Sequence, residues 1–238
     1  IYYIFFMIYV HLGAGAGDKD EGALFRCGFT EFIKKRYNSD SKIFAVESNP
    51  LNIDKLNFCY KDFKNVEIIN IAISQNISNE LTLYYTEDDA PHYQVCSSDL
   101  NHVKKHYPKS KIKSFTIKSM PINNFFEKYL GSHIDYLSID IEGLDYETIM
   151  SINFEKYQIK NISIEYLHLN NFEKKKLIKH LTKKGYSYCG FGYDHNNFDY
   201  LFRKKKILWN ILLSKVLHIL KRKYYPLLNF FIMDKKNL

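Results

Sequence analysis

The segment Val10-His11-Leu12-Gly13-Ala14-Gly15-Ala16-Gly17-Asp18 constrains this chain most, because three glycines follow directly on an apolar run, Ile4 to Leu12, that reads as a buried strand. Glycine lets a strand turn tightly into a helix and lets a ligand approach the backbone closely. Such a turn at the end of a doubly wound sheet is where those folds bind ligands. Glycine also makes purely structural turns, but a nucleotide-like cofactor is the natural occupant here. A dinucleotide fingerprint, G-x-G-x-x-G, needs glycine at position 18, where the chain has Asp18. G-x-G-x-G instead fits a methyl-donor loop, whose ligand carries no pyrophosphate to cradle.

Runs of β-branched and aromatic residues alternate with helical patterns along most of the chain, the signature of βα units around a parallel sheet. After the first strand come a helix including Phe25 and Thr30 to Arg36, a strand Lys42 to Glu47, a helix opened by Pro50 and running to Tyr60, and a third strand Val66 to Ile73. Two strand-like runs, Leu81 to Tyr85 and Phe115 to Lys118, flank an irregular insertion at about 86–113 that reads as a lid. Regularity returns with a helix after Pro121, a strand Ile134 to Asp140, a helix Leu144 to Ser151, a strand Asn161 to Glu165 and a helix Asn171 to Lys184 stopped by Gly185. Tyr186 to Phe191 and Tyr200 to Arg203 make a closing hairpin at the sheet edge.

Acids sit where these strands end. Glu47 closes the second strand, where a carboxylate can accept both ribose hydroxyl hydrogen bonds of an adenosyl group, a role shared with NAD enzymes. The run Tyr136-Leu137-Ser138-Ile139-Asp140-Ile141-Glu142-Gly143 drives a buried strand straight into two carboxylates, and Glu165 ends the next strand in the same way. Parallel strands share one carboxyl end, so these acids emerge beside Gly13 to Gly17. There a carboxylate can bind an ammonium group or take a proton from an acceptor hydroxyl; it can also simply cap a helix.

Gly13 to Gly17, Ala45-Val46-Glu47-Ser48-Asn49-Pro50, Asn70 to Ser74, Leu137 to Ile149 and Ile162 to Glu165 together resemble, in order and spacing, the FkbM family of S-adenosylmethionine-dependent methyltransferases. The resemblance spans residues 8 to 203 and includes the late Gly185-Tyr186 and Asp199 to Arg203. It implies an α/β, Rossmann-like class I fold with a mostly parallel seven-stranded sheet and helices on both faces. It also implies S-adenosylmethionine as cofactor and O-methylation of a hydroxyl on a sugar, glycan or secondary metabolite. Gly13, Ala14, Gly15 and Gly17 would line the donor with His11 and Ser48 beside them, Glu47 would hold its ribose, Ala72 would meet its adenine region, and Asp140 would also belong to the donor site. Asp140 and Glu142 would flank the transferred methyl. The chain has His11 where the family commonly has an acid, and Asn123-Asn124 where an acidic pair is common.

Asp140, Glu142 and Glu165 are thus the candidate catalytic residues, with His168 second to them. No metal is expected: strand-end acids alone are poor evidence for one, and His102 and His106, though spaced like ligands on a helix, lie amid lysines as on a solvated face. Two other readings compete. One is an NAD-dependent oxidoreductase, against which the absent glycine counts. The other is a membrane-associated binding protein with a vestigial fold.

The second reading rests on the tail. Residues 1–203 form the methyltransferase domain, and 204–238 read as a basic amphipathic helical tail. In it Asn210, Ser214 and His218 stripe a helix whose apolar face includes Trp209, Leu213 and Leu217, bracketed by basic clusters at 204–206 and 221–223. Such a helix lies in a membrane interface, or docks on the domain or on a second copy. The net charge of +8 permits anionic partners, but only Arg26, Arg36, Arg203 and Arg222 of the 34 basic residues are arginine, and the chain is rich in residues with A/T-rich codons. A nucleic-acid partner is not expected. Cys27, Cys59, Cys96 and Cys189 form no CxxC pair, so reduced thiols are expected. Residues 1–10 are apolar but too short to span a membrane, and the expected location is cytoplasmic, peripheral at a membrane if the tail binds one.

Overall fold

The computed structural model describes residues 6–19, 27–75, 78–193 and 197–205. The chain divides into units 1–204 and 205–238. The readings made for the tail, for Phe25 and for residues 1–5 lie outside the described residues.

Seven strands form one sheet in the order β3-β2-β1-β7-β8-β10-β9. They are β1 (Met7–Leu12), β2 (Ser41–Val46), β3 (Val66–Ile69), β7 (His133–Ile139), β8 (Gln158–Glu165), β9 (Tyr186–Phe191) and β10 (Asp199–Lys204). β1, β2, β3, β7 and β8 run parallel, while β10 runs antiparallel to β8 and to β9. The closing hairpin expected from the sequence is therefore present at the sheet edge.

Period-two alternation explains why both faces must be covered. On β1 and β2, Tyr9, Ile43 and Ala45 point into one core, shared with Phe29, Phe32 and Ile33 of α1 (Gly28–Arg36) and Leu56 and Cys59 of α2 (Ile53–Cys59). The intervening Val10, Leu12, Phe44 and Val46 point into a larger core on the opposite face. That core holds Ile122, Phe125 and Phe126 of α4 (Ile122–Tyr129), Ile149 of α5 (Asp145–Ser151), and Leu177 and Leu181 of α6 (Asn171–Lys183). The buried positions recur three or four residues apart on each helix, as one apolar stripe requires. Asn170 and Glu173 close a capping box at the start of α6.

Two expectations change. Val66 to Ile73 is not one strand: it breaks after Ile69, and Ala72–Ile73 (β4) joins a separate three-stranded sheet, β4-β6-β5, with β5 (Glu80–Thr86) and β6 (Ile112–Met120). The cause is Asn70, whose side-chain amide donates to the carbonyls of Glu47 and Ser48 at 2.8 and 3.3 Å and pulls the chain off the ladder. The insertion is also less irregular than expected. It carries α3 (Leu100–His106), capped by Asp99, whose side chain accepts from the Asn101 N–H. Among the described residues no helix is long and apolar enough to cross a membrane.

Candidate active site

The chain passes from β1 outward to β2 and β3, then returns to place β7 on the other side of β1. The crevice above the carboxyl ends of β1 and β7 is the switch point at which such sheets bind ligands. A cavity of about 530 Å³ opens there. Its wall includes every donor-binding and catalytic candidate named from the sequence: His11, Gly13, Ala14, Gly15, Gly17, Glu47, Ser48, Ala72, Asp140, Glu142, Glu165 and His168. The insertion supplies the facing wall with Asp89, His92, Tyr93, Cys96, His106 and Tyr107.

Gly13 and Gly15 show why this turn is built from glycine. Gly13 has φ +77°, and a Cβ there would fall 1.5 Å from the Asp140 carbonyl oxygen, so no side chain fits between the ends of β1 and β7. Gly15 has φ +53° with nothing within 4 Å of where a Cβ would be. Its N–H donates to Glu47 Oε2 at 2.7 Å, while the Asn49 N–H donates to Oε1, also at 2.7 Å. Glu47 is thereby fixed against the glycine turn with lone pairs left for a ribose. Burial pushes its carboxyl up to about 7, against the pull of the Asn49 and Gly15 N–H groups.

A pH prediction follows. A donor that needs the ionised Glu47 should bind more weakly by about tenfold for each unit below pH 7, with a plateau above it. Titration with S-adenosylhomocysteine across that range checks this. A flat profile would mean that Glu47 does not hold the ribose.

The end of β7 is organised by Asp145, which the sequence reading missed. Its carboxylate accepts from the Ile141 N–H at 2.9 Å and the Gly143 N–H at 3.1 Å. That turn holds Glu142 at φ +51°, a conformation costing a non-glycine residue about 1–2 kcal/mol. Ser97 of the insertion fastens the same turn, donating from Oγ to the Glu142 carbonyl at 2.7 Å. An acid spaced after a strand-end glycine was the available signal for Asp145. Asp199, at the start of β10, was a second omission; it is buried, lines the cavity and accepts from Ser163 Oγ at 2.6 Å.

Burial, together with the neighbouring carboxylates of Glu142, Asp145 and Asp199, raises Asp140 well above the usual carboxylate range. Glu165 is pushed up to about 12 by burial and then by Asp140, Asp145 and Glu142. Glu142 goes the other way. Burial would raise it, but His102 and His168 beside it outweigh that and hold it below the ordinary value.

The reading of His102 as part of a solvated face is corrected: its side chain is only 11% exposed, with Nε2 3.1 Å from Glu142 Oε2. Helix α3 turns this face inward because Asp99 and Ser97 tie its start to the Glu142 turn. His168 Nε2 lies 3.6 Å from Glu142 Oε2 and 3.5 Å from Glu165 Oε1.

His11 is buried, packed on the Phe29 ring and 3.5 Å from Cys27 Sγ. Burial lowers it to about 3, so it stays neutral beside the turn. Asn123 bridges the chain away from the cavity, donating to the Ser151 carbonyl and accepting from the Asn153 N–H. Cys27, Cys59, Cys96 and Cys189 are free thiols.

The Methyltransferase FkbM domain matches residues 12–188. The chain belongs to the FkbM methyltransferase family. No curated protein matches it. Solved structures similar to it include fibrillarin of Aeropyrum pernix with natively bound S-adenosyl-L-methionine, at 14% identity and TM-score 0.42, covering 84% of this chain and 65% of that one. Precorrin-6y C5,15-methyltransferase of Geobacter metallireducens is similar at 14% identity and TM-score 0.39, covering 83% and 78%. A human methyltransferase 10 domain-containing protein is similar at 8% identity and TM-score 0.43, covering 83% and 70%.

S-adenosylmethionine is the cofactor this FkbM site fits. Glu47, Asp89, Asp140, Glu142, Glu165 and Asp199 line the cavity, and among the described residues its wall carries no lysine or arginine. With Glu142 held ionised and no opposing lysine or arginine among the described residues, such a wall favours a ligand bearing ammonium and sulfonium charges, whose approach would draw Asp140 back toward its ionised form, over the pyrophosphate of NAD. The oxidoreductase reading fails on that electrostatic ground as well as on the family.

Proposed function

We propose that this protein transfers the methyl group of S-adenosylmethionine to a hydroxyl of an uncharged or cationic small molecule, such as a sugar, glycan or secondary metabolite. One observation carries the reading: the glycine turn, Glu47, Glu142, Glu165 and His168 line one cavity of about 530 Å³ that, among the described residues, has no lysine or arginine. S-adenosylmethionine, when bound, supplies a methyl already activated on sulfur, so that the carbon–sulfur bond breaks as the oxygen–carbon bond forms.

The chain's own residues then have three tasks. The Gly13 to Gly17 turn and Glu47 seat the adenosyl part. Asp140, at the end of β7, faces the donor's charged end, where a cation relieves its repulsion from Glu142, Asp145 and Asp199. The Glu142, His102 and His168 group orients the acceptor oxygen and draws off its proton. The insertion lines the cavity with the rings of Tyr93 and Tyr107, whose hydroxyls are held by Glu87 and Asp89, a rigid aromatic surface against which a sugar ring can pack.

A negatively charged acceptor is disfavoured by the same carboxylates, which makes the reading selective as well as general. Incubating the purified chain with methyl-labelled S-adenosylmethionine and matched neutral and phosphorylated sugars tests it. Label should enter neutral or cationic hydroxyl compounds only. Transfer confined to phosphorylated acceptors, or to nitrogen, would overturn the assignment.

A further inference from the structure

We propose that His102, Glu142 and His168 form a binding site for one first-row divalent transition-metal ion, of the zinc or cobalt type, at the acceptor side of the cavity. One ligand atom from each of the three side chains lies within 4.8 Å of the others. The two imidazole Nε2 atoms approach the same carboxylate oxygen, Glu142 Oε2, at 3.1 and 3.6 Å. Ligand atoms bound at roughly 2.1 Å to one ion sit about 3.0–3.4 Å apart in octahedral or tetrahedral arrangements, so the His102 separation of 3.1 Å is already that of a coordination shell and the His168 separation of 3.6 Å needs only a small side-chain adjustment to reach it.

The polar groups also lack other employment. His102 Nε2 is buried and has no hydrogen-bond partner, although the Glu142 oxygen is near. Glu165 Oε2 is likewise buried without a partner, and Oε1 of the same carboxylate lies 3.5 Å from His168 Nε2, in reach as a further ligand or as the group that orients His168. A buried imidazole nitrogen beside a carboxylate oxygen, yet poorly aligned for a hydrogen bond to it, is what a cation bound by both would explain.

The donor set names the class of ion. Two imidazoles with one carboxylate suit zinc, cobalt, iron or nickel, whereas magnesium and calcium prefer all-oxygen shells. The three ligands come from separate elements: α3, the turn after β7, and the loop after β8. The backbone positions at two of them are specially held, Glu142 at φ +51° and His102 on a helix tied to that turn through Ser97. Glu142 and His168 line the cavity, leaving the remaining coordination positions open to an acceptor.

The site itself stands on this geometry; its role rests on the methyl-transfer reading. A hydroxyl bound to the ion would lose its proton to solvent near neutral pH, as metal-bound water does, and would need no dedicated base. Glu142 and the two histidines would then act as ligands.

The full chain, stripped with chelator, should bind one equivalent of Zn²⁺ or Co²⁺ by calorimetry, with Co²⁺ giving the visible spectrum of a nitrogen- and oxygen-ligated ion. His102→Ala and His168→Ala should each weaken binding more than about a hundredfold, beyond the ten- to hundredfold typical of residues that only support ligands. His106→Ala, on the same helix, should change it little. S-adenosylhomocysteine binding, whose contacts lie at the glycine turn, reports that each variant is folded and tests the donor reading separately. Absence of Zn²⁺ and Co²⁺ binding, or binding indifferent to both histidine substitutions in folded variants, would refute the site while leaving the donor reading intact.

Discussion

Gly13→Ala should destabilise the protein by about 2–5 kcal/mol and abolish S-adenosylhomocysteine binding. About 1–2 kcal/mol of this is the left-handed backbone at φ +77°. A further 1–3 kcal/mol is the overpacking that follows when a methyl is forced to within 1.5 Å of the Asp140 carbonyl. Relief requires β1 and β7 to part at the point where the glycine turn proposed to seat the donor meets the Glu142 turn. Gly15→Ala is the paired control. It has the same sign of φ but open space around the added methyl, so it should cost only the backbone share, about 1–2 kcal/mol. Thermal or urea denaturation of the two variants decides the matter, and equal losses would mean that β1 and β7 do not approach so closely.

Glu142→Gln should lower turnover by about 10²–10⁴-fold while leaving S-adenosylhomocysteine affinity within roughly threefold. Glutamine keeps the length of the side chain but removes the charge that His102 and His168 hold in place. It leaves untouched the backbone pattern in which Asp145 accepts from Ile141 and Gly143. The proposed function seats the donor on Glu47 and the glycine turn, so binding and catalysis should separate cleanly. Single-turnover rates measured beside donor titrations check this. Full turnover in the variant would remove Glu142 from the chemistry, whether as base or as ligand.

These two positions also show what could be read before any coordinates. The convergence of the glycine turn and Glu47 on one cavity was legible because its logic is local. A glycine turn must follow its strand directly, an acid must end the neighbouring strand, and parallel strands bring such ends to one edge. The same locality made the two cores legible, since alternation along β1 and β2 assigns Tyr9 and Val10 to opposite faces without knowledge of what covers them.

Where the sequence reading went astray, a distant partner was responsible. Val66 to Ile73 has the composition of one strand, and only the reach of Asn70 to the carbonyls of Glu47 and Ser48 breaks it. His102 amid lysines has the pattern of a solvated helix face, and only the Ser97 and Asp99 tether turns it toward Glu142. Asp145 and Asp199 were passed over because an acid inside a helix or at a strand start has many ordinary uses.

The sequence by itself determined the doubly wound sheet and the edge at which the glycine turn meets the strand-end acids, because these follow from periodicity and spacing along neighbouring residues. Only the tertiary structure decided that His102 and His168 close on one carboxylate oxygen and that, among the described residues, a cavity lined by acids holds no opposing lysine or arginine. Those properties depend on which side chains from separate strands and loops share a space of a few ångströms, and one-dimensional order does not encode that directly.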